Sequence, residues 1–278
     1  MVLQKHDPTL PVVKPAPGKR ERIAKGYDII GNIAVIDMPE AGKRDEAMAK
    51  ELMSVHPKVK TVVAKAGAVT GKYRRRRFRH VLGEHSFIAD YRENGCIFRF
   101  DIRKSFFSNR LSFERSRIIN EVKGGEHVLV LFAGVGPFAI EIAKAHPDTT
   151  VIGVELNNEA YRSMEENIKL NRLRNISALN ADAAKLPVKL KEFADRIIVP
   201  MPTASTKFLE SILFAANKRC VVHLYAFCKK DSAFDGIYNK IKEHAKEKGY
   251  RTKLLFGRQV RTYSHSDIEA VIDYLIVR

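Results

Sequence analysis

The segment from Val128 to Lys144 restricts the possible fold of this chain more than any other. It opens with four apolar residues, 128–131, which is typical of a strand buried on both faces. Gly134 and Gly136 follow, and Pro137 then stands where the first turn of a helix tolerates proline. The glycines let a ligand approach the backbone, and the helix start offers free N–H groups. The pattern therefore predicts a strand, a tight glycine turn and a helix.

Two carboxylates end the next two predicted strands. Glu155 closes the strand 151–155. It follows the glycine turn by the ~20 residues at which a nucleotide-binding βαβ unit has the carboxylate that binds the ribose hydroxyls. Asp182 closes the third strand. Ala139 stands where a dinucleotide fingerprint has its third glycine, so a tight turn without a ligand remains the alternative.

From Val128 onward, strands and helices alternate, which indicates a doubly wound α/β sheet ending in an antiparallel pair of strands. Before it, the hairpin signal Glu93-Asn-Gly95 and several strand-like runs indicate a small α+β domain with an antiparallel sheet. We expect a flexible arm over 1–25, this basic domain over 26–103 and the doubly wound domain over 104–278.

The linking segment is expected to form a helix that begins near residue 112. Ser112 is a reasonable N-cap. Four apolar residues have the spacing of an inner helix face: Phe113, Ile118, Ile119 and Val122.

The net charge of +17 indicates a polyanionic partner. Five arginines within residues 71–80 interleave with Tyr73 and Phe78. Arginines contact phosphates, and aromatic rings stack on unpaired bases. We therefore predict an RNA-binding surface formed by Tyr73, Arg75, Arg76, Arg77 and Arg79; a merely solvated basic face is the alternative.

The sequence contains no run near the ~20 apolar residues of a membrane span and no apolar secretory signal. Its three cysteines, Cys96, Cys220 and Cys228, lack the spacing of a metal site. A cytoplasmic monomer with reduced thiols and no metal is expected.

The glycine turn, the acidic strand end, the Asp182 loop and the proline-flanked end of the strand 195–202 together resemble a class I S-adenosylmethionine-dependent methyltransferase. The resemblance implies a Rossmann-like, seven-stranded sheet of order 3-2-1-4-5-7-6. It also implies that Glu155 holds the cofactor ribose and that Asp182 lies beside the adenine. The implied cofactor-binding residues are Ser108, Arg115, Phe132, Ala133, Gly134, Gly136, Glu155, Leu156, Asp182, Ala183 and Pro200.

Four motifs resemble the archaeal and eukaryotic tRNA methyltransferases that methylate N1 of the guanosine 3′ to the anticodon, position 37. They are Tyr27-Asp-Ile-Ile-Gly-Asn-Ile-Ala34, Gly71-Lys-Tyr-Arg-Arg-Arg76, Phe106-Phe-Ser-Asn-Arg-Leu-Ser-Phe-Glu-Arg115 and Phe132-Ala-Gly-Val-Gly-Pro-Phe138. A related wyosine-pathway aminocarboxypropyl transferase shares the fold, and Arg110 favours the methylating branch. A methyltransferase acting on another RNA or on protein and a non-catalytic RNA-binding protein are further alternatives.

The resemblance implies three catalytic roles. Glu114 would remove the N1 proton, and Arg74 and Arg110 would stabilise negative charge on O6. Ser108 and Arg115 would hold the methionine end of the cofactor. A structural ion pair is the alternative for Glu114 and Arg115, and phosphate binding is the alternative for Arg74.

The chain departs from the family pattern in three places. Pro200 stands where the family has Asn, and the family's Tyr at position 106 is here Phe106. About 25 residues precede the match, so the N-terminal domain with which longer members touch the tRNA elbow is expected to be absent.

Overall fold

The computed structural model describes residues 26–37, 43–71, 75–203, 205–230 and 234–278. Its first sheet has four strands in the order β1-β2-β3-β4. The strands and the helix that joins the second to the third are β1 Tyr27–Ile30, β2 Ile33–Ile36, α1 Lys43–Val55, β3 Thr61–Thr70 and β4 Arg75–Gly83. Because α1 carries the chain back over the sheet, β2 and β3 are parallel. The prediction of an antiparallel sheet was therefore wrong for this pair.

A separate hairpin follows, formed by β5 Ile88–Glu93 and β6 Cys96–Asp101. Asn94 and Gly95 both have positive φ, as a two-residue hairpin turn requires. Two asparagines bind the free edge of β6: one lies in helix α4 (Asn158–Leu170), and the other is the C-cap of that helix. Asn167 Oδ1 accepts the amide N–H of Arg99 at 2.7 Å, and Asn171 Oδ1 accepts that of Ile97 at 2.9 Å. The hairpin is thus bonded to the larger α/β unit.

The main sheet has seven strands in the order β12-β13-β11-β10-β7-β8-β9. They are β7 His127–Leu131, β8 Thr150–Glu155, β9 Ile176–Asn180, β10 Ala194–Val199, β11 Ala216–Lys229, β12 Arg251–Thr262 and β13 Asp267–Val277. Strands β7 to β11 pair in parallel, and β13 pairs antiparallel with both β11 and β12. The chain order reverses between β7 and β10, which is where open α/β sheets place a ligand crevice.

Helices cover both faces of the main sheet. The remaining ones are α2 Ser112–Glu121, α3 Pro137–Ala145, α5 Leu209–Ala215 and α6 Asp235–Glu247. One core lies around Ile118, Ile140 and Met164, and the other around Ile212 and Ile241. Within the described residues, no helix combines the length and the apolar character needed to cross a bilayer.

Helix α2 corrects two local predictions. Its N-cap is Leu111, because Ser112 already has helical geometry. Ile118 and Val122 are buried as predicted, but the side chain of Phe113 is 66% exposed. A helix of 10 residues at the border of the sheet buries only part of the apolar stripe that its sequence suggests.

Candidate functional site

A cavity of about 250 Å³ opens at the carboxyl ends of the central strands; we call it the main cavity. Its floor follows β9, β8, β7 and β10 in that spatial order. The predicted residues on its wall are Ser108, Phe132, Gly134, Glu155, Leu156, Asp182, Ala183 and Pro200. Tertiary structure thus brings together side chains that are up to 92 positions apart in the sequence, from residue 108 to residue 200.

Glu155 organises the glycine turn. Its two carboxylate oxygens accept the amide N–H of Gly134 at 2.8 Å and that of Asn157 at 2.7 Å. Burial raises the pKa of Glu155, and these backbone donors oppose that rise. Each oxygen keeps a second lone pair, so the carboxylate is able to accept hydroxyl groups from a ligand.

The two glycines of the turn serve different purposes. Gly134 has φ +59, which favours glycine, and it lies on the cavity wall. A Cβ at Gly136 would lie 2.7 Å from Ile140 Cδ1 and 2.8 Å from Met164 Cγ. Gly136 therefore permits the close packing of α3 and α4, while Gly134 borders the ligand space.

A second cavity of about 290 Å³, the side cavity, lies against the main one and shares Phe106, Ser108 and Arg261 with it. Arg110 lines it and donates three hydrogen bonds to Asp28, two from Nη2 at 2.9 and 3.2 Å and one from Nε at 3.2 Å. Further residues on its wall are Lys65, Arg76, Phe78, Phe100 and Tyr263. The side cavity therefore combines aromatic faces with cationic groups, and both the four-stranded sheet and the segment before α2 contribute to it.

Glu114 lies in a buried ion network, with an exposed fraction of 1%. Its carboxylate accepts hydrogen bonds from Arg117 Nη2 at 3.0 Å and from the Tyr225 hydroxyl at 2.8 Å, and it pairs with Arg258. Burial raises the pKa of Tyr225, so this hydroxyl remains a donor. Glu114 does not belong to the described residues that line either cavity. The contacts fit the structural alternative, and the role as a base stays a prediction.

Arg115 is also fully buried. It binds Glu93 through Nε at 2.6 Å and Nη2 at 2.7 Å, and its Nη1 donates to the Ser108 carbonyl at 3.1 Å. It is likewise missing from the described wall of the main cavity. These contacts join α2 to the hairpin turn and correspond to the structural alternative for Arg115.

Two charged residues on the cavity wall escaped the sequence analysis: Arg261 and Glu269. Arg261 Nε donates to Glu269 Oε2 at 2.5 Å, and Glu269 has an exposed fraction of 1%. A signal was present, because Glu269 and Asp273 interrupt the apolar run of the last strand. A carboxylate in a buried strand requires a partner or a function.

The predicted RNA-binding residues differ in how they are placed. Tyr73 and Arg74 lie outside the described residues, as does the side chain of Arg75. Arg77 is exposed, and Arg76 lines the side cavity. Arg79 pairs with the buried Asp45 of α1, which fixes its guanidinium.

Three potential metal ligands, Glu121, His223 and Asp273, lie within 4.8 Å of one another. Arg117 already provides a cation there, because its Nη1 is 2.7 Å from Glu121 Oε1 and 2.5 Å from Asp273 Oδ2. Nδ1 of His223 lies 2.8 Å from Oδ1 of Asp273. The guanidinium accounts for this cluster.

Glu141 and Arg115 are buried charged residues close to the hairpin turn, and they predict that the stability of the protein depends on pH. Burial raises the pKa of Glu141 to about 7, although Arg115 lies 3.4 Å away and Asn94 donates to it at 2.7 Å. The folded state therefore holds a proton that the unfolded state releases above about 4.5. Glu141 contributes stability that is fully present below pH 4.5 and is lost as the pH rises through 7. From pH 5 to 8 we expect the wild-type protein to lose roughly 2–3 kcal/mol relative to Glu141→Gln.

Urea unfolding of both proteins at pH 5, 6.5 and 8 measures this difference. The substitution is the control for every other titrating group, because only the difference between the two proteins is used. A difference that stays constant from pH 5 to 8 would show that Glu141 does not titrate in this range.

Two family models match the chain. The TRM5/TYW2 methyltransferase domain matches residues 89–253, and the TYW2 N-terminal domain matches residues 15–86. The first of these covers more than half of the sequence.

Individual relatives match nearly the whole chain. The tRNA (guanine(37)-N(1))-methyltransferase Trm5b of Pyrococcus abyssi is 34% identical over 92% of this chain and 76% of its own length. Its crystal structure superposes with a TM-score of 0.83 over 91% of this chain and 76% of that one. The tRNA 4-demethylwyosine(37)-methyltransferase Taw21 of Saccharolobus solfataricus is 32% identical over 91% of this chain and 95% of its own length. The structure of aTrm5 in complex with tRNALeu has a TM-score of 0.80 at 26% identity, covering 92% of this chain and 73% of that one.

Proposed function

The chain belongs to the TRM5/TYW2 methyltransferase family, and we propose that it transfers the methyl group of S-adenosylmethionine to N1 of guanosine 37 in tRNA. The observation that carries the proposal is the pair of adjoining cavities, of which one has the features of a nucleoside site and the other is cationic and aromatic. The names of the relatives and the tRNA complex of a similar structure support the same substrate.

The main cavity fits S-adenosylmethionine in chemistry. Glu155 offers acceptors for the ribose hydroxyls, Asp182 follows β9 on the adenine side, and the remaining wall is largely apolar. When bound, the cofactor supplies an electrophilic methyl group on a sulfonium. The residues of this chain then have to orient the target base and remove its N1 proton.

We assign the target guanine to the side cavity. Aromatic side chains there suit a flipped base, and Arg110 suits the negative charge that develops on O6 when N1 is deprotonated. Asp28 holds Arg110 in place by accepting three hydrogen bonds from its guanidinium. Arg74 remains the second candidate for this charge.

The base that accepts the N1 proton has two candidates. The family resemblance implies Glu114, which would have to exchange its partner Arg258 for the substrate. The other candidate is Glu269, a carboxylate on the wall of the main cavity that accepts a hydrogen bond from Arg261. We retain Glu114 as the proposed base and use Glu269 as its competitor in the experiment that opens the Discussion.

The finer structural assignments are also proposals. The order of the main sheet, with β7 between β8 and β10 and with β13 between β11 and β12, supports the class I type of this fold. We propose a basic N-terminal domain that ends before residue 104, with the hairpin 88–101 fastened to the methyltransferase unit by Asn167 and Asn171. A cytoplasmic monomer remains the expectation from the sequence.

A second candidate is methylation of 4-demethylwyosine at the same tRNA position. The observation in its favour is that Taw21 aligns with this chain over 95% of its own length, against 76% for Trm5b. An aminocarboxypropyl transferase of Methanocaldococcus jannaschii, 27% identical over 89% of this chain, represents the other chemistry of the family.

One experiment separates these functions. The protein is incubated with two tRNA substrates, one with guanosine 37 and one with 4-demethylwyosine 37, and with cofactor labelled either in the methyl or in the aminocarboxypropyl group. Nucleoside mass analysis should find N1-methylguanosine with methyl label. Label that enters only the wyosine precursor supports the second candidate, and transfer of the larger group contradicts both methylation proposals. A tRNA with adenosine 37 is the negative control.

The salt dependence of tRNA binding tests the arginine run. Neutralising Arg75, Arg76 and Arg77 should make the slope of log affinity against log salt shallower by about 2–3. Each phosphate contact that is lost means that binding no longer releases the counterions of that phosphate. Binding is measured by fluorescence anisotropy between 50 and 200 mM salt.

The matched control neutralises the same number of lysines on α6: Lys240, Lys242 and Lys246, which are exposed. An equal slope in the arginine variant and the wild type would exclude this run from the tRNA surface. A similar loss in the lysine variant would indicate that only net charge matters.

A further inference from the structure

In the described part of the chain, exposed aromatic side chains occur at the side cavity and beside the ion network of Glu114. Among the aromatic residues whose side chains the structure describes, four are exposed: Phe106, Phe113, Phe256 and Tyr263. Phe106 and Tyr263 lie at the side cavity. Phe113 follows on α2, and Phe256 lies on β12, seven residues before Tyr263. We call these four residues the aromatic surface.

Arginines hold two of the rings in place. The guanidinium of Arg258 lies 4.7 Å from the centre of the Phe113 ring, and that of Arg117 lies 5.1 Å from the Phe256 ring. Both arginines form ion pairs with the buried Glu114. Each ring therefore packs on a fixed cation, while Phe113 remains 66% and Phe256 41% exposed.

The strand that carries Phe256 and ends one residue before Tyr263 is the edge of the main sheet. β12 is the terminal strand, and it contains four cationic residues and no acidic residue. An exposed edge with apolar side chains is a liability unless it is charged or covered. Arg258 and Arg261 pair with the buried carboxylates of Glu114 and Glu269. The other two cations, Arg251 and Lys253, are exposed, which suits a polyanion.

We propose that the aromatic surface binds unpaired nucleotides of the RNA next to the target base, with bases stacked on Phe113 and Phe256 and phosphates near Arg258 and the other cations of β12. Fixed aromatic faces beside a cationic track are the combination used to hold single-stranded nucleic acid. Continuity with the side cavity, through Phe106 and Tyr263, favours nucleotides adjoining the target. The inference rests on the proposed tRNA methylation and adds a surface that this reaction does not require.

Affinity for tRNA tests the surface. Phe113→Ala combined with Phe256→Ala should weaken binding of an unmodified tRNA transcript about tenfold or more, because each substitution removes a ring on which a base stacks. The slope of log affinity against log salt should stay unchanged, since no cation is removed. Binding of S-adenosylmethionine, measured by calorimetry, should also stay unchanged.

Two further variants make the result specific. Phe113→Leu combined with Phe256→Leu keeps apolar side chains but removes the aromatic faces, and it should lose nearly as much affinity. Leu170→Ala combined with Val188→Ala removes exposed apolar side chains elsewhere and should bind tRNA like the wild type.

Several results would overturn the inference. Unchanged tRNA affinity in the alanine variant excludes the surface, and full affinity in the leucine variant excludes stacking. A dimer in sedimentation that only the alanine variant dissociates would assign the surface to a second copy of the chain. Methylation of guanosine 37 by the wild type is measured separately, so failure of the surface and failure of the proposed function remain distinguishable.

Discussion

Glu114→Gln is expected to slow single-turnover methyl transfer by roughly 10²-fold or more. Glutamine keeps the size of the side chain but cannot accept the N1 proton at neutral pH. A base acts mainly in the transition state, so the affinities for tRNA and cofactor should change little. Raising the pH should partly restore the methylation rate of the variant, because guanine N1 then loses its proton to solvent without a catalytic residue. The measurement is the rate at which the methylated nucleoside forms at pH 7 and at pH 9.

The buried network gives this experiment its controls. If Glu114 acts only through its ion pairs with Arg117 and Arg258, the variant should instead be less stable, bind more weakly and show no rescue by pH. Tyr225→Phe removes another hydrogen bond to the same carboxylate and reports the structural effect alone. Glu269→Gln tests the competing carboxylate. A fast Glu114 variant together with a slow, pH-rescued Glu269 variant would transfer the role of base to Glu269.

Glu155→Ala is expected to weaken S-adenosylmethionine binding by roughly 10²–10⁴-fold, since the variant lacks the carboxylate that we propose accepts two hydrogen bonds from the ribose. Part of the loss comes from the glycine turn, because Glu155 also accepts the amide N–H groups of Gly134 and Asn157. Calorimetric titration measures the affinity, and thermal unfolding checks that the protein remains folded.

The matched control is Glu166→Ala, which removes an exposed carboxylate from helix α4. Its affinity for the cofactor should equal that of the wild type. An unchanged affinity in the Glu155 variant would mean that this carboxylate only holds the turn.

The features of this protein that depend on local sequence pattern could be predicted from its residues. The apolar run before Gly134, the positions of Glu155 and Asp182 at strand ends, and the hairpin at Asn94 follow from spacing and turn chemistry. These features predict the α/β sheet and the edge of the sheet at which we propose that the cofactor binds. The resemblance of the four motifs led to the TRM5/TYW2 family, and the comparisons confirmed it.

Which charged residues face the cavities depends on long-range packing and could not be predicted from local pattern. Glu114 and Arg115 follow each other in sequence, yet Glu114 binds Arg258, 144 positions away, and Arg115 binds Glu93. Arg261 and Glu269 reach the main cavity because β12 and β13 lie beyond β11 in the sheet. A local pattern fixes the face of a helix or strand that a side chain occupies, but its partner depends on elements that the chain brings alongside from far away. For the same reason Phe113 had the spacing of a core residue and became exposed, since no element covers that part of α2 in the described structure.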